Sequence, residues 1–165
     1  MELCLVRHAI AVDRGTPGFE NDDLRPLTPD GAKRFKQAAR GLAVLFTPQV
    51  ILTSPLVRAR QTAEILMATY HLPNLHVSDS LASGDHVALL RDVAEVEAQS
   101  VLVVGHEPHI SGLLSYLLAD NESRLGATFK KGAAALVSCV DEPEADACWL
   151  EWLIQPAALR RLAQS

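Results

Sequence analysis

The chain has 165 residues, of which 48% are hydrophobic and 21% charged, which suits one folded domain with a substantial core and excludes a disordered segment. Its net charge of −5 argues against a general nucleic-acid or anionic-membrane surface, although a local cationic pocket is compatible with it. No run reaches the roughly 18 uncharged apolar residues of a membrane span, and the opening apolar run is too short and lacks the basic leader of a secretory signal, so a soluble cytoplasmic protein is expected.

Short β-rich runs alternate with longer helical ones, which predicts a parallel sheet covered by helices. Residues 3–6 (LCLV) form an apolar run of the kind buried on both faces of a parallel sheet, and Arg7 and His8 stand where that strand ends. The carboxyl ends of strands are where open α/β sheets bind ligands. A long segment, residues 9–26, carries two glycines and two prolines and reads as a loop of the functional kind. Thr28 and Pro29 then supply a cap and a first-turn proline for a helix.

QVILTS is a second strand, and Ser54-Pro55 repeats the cap-then-proline start for the helix that follows. LHVSDS is a weaker third strand, and DHVALLRDVAEV has apolar residues at helical spacing with Asp85 at its start. SVLVVG is the clearest buried strand; His106 follows it and a helix begins near Pro108. Two further strand-like runs, AAALVSCV and CWLEWLI, flank the acidic turn DEPEADA and suggest a hairpin at the sheet edge, before Pro156 opens a short last helix. There is no internal repeat, low-complexity tract or linker, so residues 1–165 are expected to form a single domain.

Cys4, Cys139 and Cys148 are odd in number, widely spaced and in apolar surroundings, and read as small core residues rather than a disulfide framework or zinc site. The arginine that a cysteine-dependent phosphatase places six residues after its nucleophile is replaced by Ile10, Ala145 and Ile154. HEPH lacks the spacing of a zinc helix, and His71, His76 and His86 have no motif around them and are expected at the surface.

If the strands are parallel, three of their ends deliver Arg7 and His8, Arg58 and Arg60, and His106 to one edge of the sheet. The segments VRHA, SPLVRARQTA and VVGHEP, in that order, resemble the signatures of the histidine phosphatase superfamily, which includes the phosphoglycerate mutases. The short chain and RPLTPDG are similar to the SixA-type phosphohistidine phosphatases. Ala9 stands where the family usually has glycine.

The resemblance implies a three-layer α/β sandwich: a mostly parallel central sheet with helices on both faces and an antiparallel edge strand near the C-terminus. The segments after the third and fourth strands are too short for the cap inserted in larger relatives, so an open, shallow site is expected. The resemblance also implies that His8 is the nucleophile and forms a covalent phosphohistidine, with its other ring nitrogen donating to a backbone carbonyl. Arg7, Arg58 and His106 would surround the phosphoryl oxygens with charge and donors, so that neither metal nor other cofactor is needed. Arg60, two positions on from Arg58, points to another face and reads as structural. Arg25 either anchors the long loop or helps bind phosphate, with the loop role favoured. Asp22 and Asp85 are the candidates for a proton donor, Asp22 preferred.

The expected activity is metal-independent hydrolysis of protein phosphohistidine, with a phosphohistidine-containing phosphotransfer protein or domain as partner, and no nucleic acid or membrane. A small-molecule phosphomonoesterase of the same superfamily, or a catalytically silent phosphate-binding module, are the alternatives.

Overall fold

The computed structural model describes residues 1–164. Its strands are β1 (Glu2–Arg7), β2 (Val50–Thr53), β3 (His76–Val77), β4 (Ser100–Gly105), β5 (Ala134–Cys139) and β6 (Cys148–Ile154). Its helices are α1 (Pro29–Leu45), α2 (Val57–Tyr70), α3 (Ser80–Ser83), α4 (His86–Glu95), α5 (His109–Ala119) and α6 (Pro156–Leu162). The strands form one six-stranded sheet in the order β3-β2-β4-β1-β5-β6. The first four strands are mutually parallel, and β5 runs against β1. The edge strand β6 is antiparallel to β5, as the acidic turn between them requires.

Side-chain alternation along β1 builds the two outer layers. Cys4 and Val6 point into a core with Phe35, Ala38 and Leu42 of α1, Ala63 and Leu66 of α2, and Leu159 of α6. Leu3 and Leu5 point the other way, toward Leu81 of α3, Leu89 and Val93 of α4, and Ile110, Leu113 and Leu117 of α5. A strand buried on both faces carries no polar side chain until it ends, which is why the LCLV run is continuous.

Thr28 caps α1 by accepting from the Gly31 amide at 3.0 Å, with Pro29 in the first turn, and Asp85 caps α4 by accepting from Ala88 at 2.9 Å. The Ser54-Pro55 start of α2 is displaced: the helix begins at Val57, without a side-chain cap. Ser54 N still donates to Val104 O at 3.1 Å, prolonging the β2–β4 ladder, so the chain must bend before it can coil. Helices α1 and α6 touch at Gly41, where an added Cβ would lie 1.8 Å from the carbonyl oxygen of Leu159.

Two expectations are corrected. Cys139 and Cys148 are not independent core residues but a disulfide, because they are register partners across β5 and β6 with Cα atoms 4.4 Å apart. Cross-strand pairing fixed by the hairpin, rather than any cysteine spacing pattern, brings them together; Cys4 alone is a free buried thiol. His86 is buried, not exposed: it faces α5, with its Nε2 3.6 Å from Glu122 Oε1 and its ring centroid 5.8 Å from that of Tyr116. His71 and His76 are exposed as expected. No helix among the described residues is long and apolar enough to cross a membrane.

The close α1–α6 contact makes Gly41→Ala destabilising by roughly 1–3 kcal/mol, since the methyl group meets backbone and the helices must separate. A thermal unfolding midpoint equal to that of the parent protein would show that α6 moves aside freely.

Candidate active site

The site is set by strand register. Arg7 pairs with Gly105 at the carboxyl ends of β1 and β4, so the residues that follow, His8 and His106, leave the sheet side by side. The His8 amide donates to Gly105 O at 3.0 Å, and the two imidazole centroids lie 5.1 Å apart with planes inclined by 51°. β2, the other neighbour of β4, delivers the first turn of α2 to the same edge and with it Arg58.

Each side chain is fixed by a named partner. His8 Nδ1 lies 2.7 Å from the carbonyl oxygen of Ala9, which makes Nδ1 the protonated nitrogen and leaves Nε2 with a free lone pair. Arg7 Nη1 donates to Phe129 O at 2.6 Å. Arg58 Nη1 donates to Asp22 O at 2.8 Å, and its Nη2 is 3.1 Å from Asp22 Oδ2. Five buried side-chain nitrogens or oxygens have no hydrogen-bond partner among the described residues, and four of them belong to this cluster: Arg7 Nε, Arg58 Nε, and both ring nitrogens of His106. The fifth, the Tyr70 hydroxyl, lies beside the α1–α2 core and nothing in the structure explains it. Leaving a buried donor unmade costs about 1–3 kcal/mol, so this concentration of unpaired nitrogens marks an anion-binding site.

Electrostatics keep both rings neutral. Burial pushes His8 down to about 3, against the Ala9 hydrogen bond, and His106, Arg58 and Arg7 press in the same direction as burial. His106 is likewise pushed down to about 3, first by burial and then by Arg58. Burial also lowers Arg7 and Arg58 from their ordinary values, yet guanidinium is so basic that both remain charged. The arrangement therefore offers a neutral nucleophilic nitrogen beside two permanent cations.

Asp22 and Arg25 meet the cluster through the long loop. Arg25 is buried, its Nε donates to Asp22 Oδ1 at 2.8 Å, and its Nη1 donates to the carbonyl of Val12. Both contacts anchor the loop, whose two ends are joined by the Ala11–Leu27 bridge. Asp22 also receives Arg14 Nε at 2.9 Å. The hydrogen bond from Arg25, then those of Arg14 and the charge of Arg58, hold its carboxyl well below the usual carboxylate range even though burial opposes them. Asp22 is thus an ionised carboxylate clasped by three arginines, Arg14, Arg25 and Arg58. Asp85 is an exposed helix cap, and Arg60 is exposed and outside the cluster.

The site is less open than a capless chain suggests. His8, Arg58 and His106 retain only 6%, 5% and 6% of their accessible surface, and the 3-10 turn Asp22–Leu24 lies against Arg58. Sequence reading also assigned no role to Gln61 and Thr62. Thr62 Oγ1 accepts from the Ala9 amide at 3.0 Å and donates to Arg58 O at 2.7 Å, tying β1 to α2. Gln61 Oε1 accepts from the Leu27 amide at 2.7 Å and holds the loop. Their place beside Arg58 in one contiguous motif was the available signal.

Residues 3–83 match the sequence profile described as histidine phosphatase superfamily (branch 1). The chain belongs to the histidine phosphatase superfamily. Its build is of the SixA type. A protein histidine phosphatase SixA solved with tungstate superimposes with a TM-score of 0.77 at 25% identity, over 96% of this chain and 99% of that one. A protein from Nakamurella multipartitia, assigned as a phosphohistidine phosphatase SixA, gives 0.74 at 28% identity over 93% of this chain and 94% of its own. An uncharacterized protein of Picosynechococcus sp. is 41% identical over 115 residues, 67% of this chain and 68% of its own length. For this histidine phosphatase, the superfamily membership supports phosphatase activity.

The depressed histidines make stability pH-dependent. In the unfolded chain both rings take up protons near the ordinary 6.5, whereas in the folded state they resist until about 3. Their stabilising contribution is complete above about pH 6.5 and is lost progressively as the pH falls toward about 3. Urea midpoints should therefore drop between about pH 7.5 and about pH 5, and His106→Asn should shallow that drop. A drop of unchanged size in His106→Asn would show that other groups carry it.

Proposed function

We propose that the protein is a metal-independent phosphatase that removes phosphoryl groups from phosphohistidine on another protein, through a phosphohistidine formed on His8. The observation that carries this reading is the orientation of His8: with Nδ1–H committed to Ala9 O, Nε2 is presented neutral among the unpaired nitrogens of Arg7, Arg58 and His106.

The lone pair of Nε2 forms a bond to phosphorus while the bond from phosphorus to the substrate's imidazole breaks. The departing imidazole leaves as a neutral ring when its second nitrogen already carries a proton, so little is asked of an enzymic acid. Arg7 and Arg58 stabilise the charge on the equatorial oxygens, and His106 contributes a further donor. His8 keeps its Nδ1 proton throughout, and the resulting cationic ring is a good leaving group. Water then attacks phosphorus, the bond to Nε2 breaks, and phosphate departs with the water's protons.

The tungstate-bound SixA relative supports the reading, since tungstate is a tetrahedral oxyanion. The lack of a cap also supports it: an imidazole projecting from a protein needs a rim, whereas a small sugar phosphate is normally enclosed. In this reading Asp22 positions Arg58 until the phosphoryl oxygens compete for Arg58 Nη2, and Arg25 serves the loop rather than the phosphate.

Incubation with a phosphohistidine protein should yield an acid-labile, base-stable phosphoenzyme that is absent in His8→Ala, with turnover surviving excess chelator. Faster turnover of small phosphomonoesters than of the phosphoprotein would instead favour a small-molecule phosphatase. Asp22→Asn separates clasp from acid. A clasp predicts an altered KM with kcat held within about threefold, whereas loss of a general acid would lower kcat by about 10²–10⁴.

A further inference from the structure

Beside the site a groove of about 220 Å³ opens between the start of α1, the turn before β5 and the start of α6. Its lining includes four cations, Arg34, Lys130, Lys131 and Arg160, and no carboxylate. On a chain of net charge −5 that concentration runs against the average. Arg34 pairs with Asp30 at 3.6 Å, but Lys130, Lys131 and Arg160 have no ion pair among the described residues. The groove is coupled to the chemistry by its backbone. Ala9, whose carbonyl orients His8, lines one end. The two lysines lie between Phe129, whose carbonyl holds Arg7, and Gly132, whose amide approaches the carbonyls of Arg7 and His8 at 3.1 Å. Its lining is partly apolar, with Phe35 and Ala38 buried, and Gly31 packs closely on the backbone of Ile10, where a Cβ would lie 2.2 Å from Ile10 O.

We infer, on the strength of the phosphohistidine-protein reading, that this groove docks an acidic segment of the phosphorylated protein while its phosphohistidine reaches His8. A short cationic groove on an otherwise acidic body attracts a local acidic segment and repels an extended polyanion such as nucleic acid or an anionic membrane. Rim charges of this kind act on encounter and on salt sensitivity, so the groove governs recognition and leaves the chemical step alone.

The test compares the parent protein with Lys130→Glu/Lys131→Glu/Arg160→Glu on two substrates: a histidine-phosphotransfer protein phosphorylated on its histidine, and free phosphohistidine. The triple variant should raise KM for the phosphoprotein roughly tenfold with kcat unchanged. It should leave free phosphohistidine turnover at the parent level, which also reports that it is folded. Added salt should lower kcat/KM of the parent on the phosphoprotein and leave the variant nearly flat, while Lys130→Arg/Lys131→Arg should behave as the parent. An unchanged KM in the triple variant, an equal loss on free phosphohistidine, or charge-dependent binding only of a DNA oligonucleotide or anionic vesicles would overturn the docking role. A parent protein that turns over free phosphohistidine or esters but not the phosphoprotein would overturn the phosphoprotein reading itself.

Discussion

The pairing of β1 with β4 is the constraint on which the site depends. Because Arg7 and Gly105 are register partners, two histidines almost a hundred positions apart emerge at one level of the sheet. Slipping that pairing by one residue would turn Leu3, Leu5 and Arg7 to the opposite layer, so the same alternation that fills the two cores also aims the chemistry. The His8 amide bonded to Gly105 O continues the ladder one step past the strand and holds the imidazole against rotation about its backbone.

Two cations and two imidazoles at this edge are poorly solvated, and the fold bears that cost elsewhere. Apolar clusters pack both faces of the sheet. The unpaired nitrogens are confined to one place, where an oxyanion would satisfy several of them together. Neutral histidines follow from the same burial: a protonated His8 ring would be poorly solvated and repelled by Arg58 and Arg7. Low pKa values here are a consequence of packing, and they suit a nitrogen nucleophile because only the neutral ring has a lone pair to give.

What was legible in the sequence was whatever local pattern dictates. The strand ends, the Thr28 and Asp85 caps and the edge hairpin depend on residues within a few positions of one another, and they stand as read. The convergence of the segments carrying Arg7, His8, Arg58 and His106 followed from parallel strands, and the choice of Arg58 over Arg60 from the family resemblance. What escaped depends on contacts that pattern does not encode. The pairing of Cys139 with Cys148 is decided by hairpin register, including a bulge between Leu136 and Val137 that a strand pattern does not reveal. His86 is buried because α4 packs on α5, and the three-arginine clasp on Asp22 needs the long loop to fold back across α2.

That fold-back changes how selectivity arises in a chain without a cap. An inserted subdomain encloses a small substrate and reads all its sides, whereas here the long loop alone lies against Arg58. Discrimination then falls to two surfaces of unlike character. The Asp22 clasp presents a carboxylate at Arg58 and so admits only an anion strong enough to compete for that guanidinium, a condition met by a phosphoryl group whatever carries it. On the docking proposal, the groove beside Ala9 would act on the carrier, through lysines and an arginine that have no ion pair among the described residues. If recognition of the phosphoryl group and of its carrier are separated in this way, one sheet edge would serve the chemistry while surface charge acts on the partner.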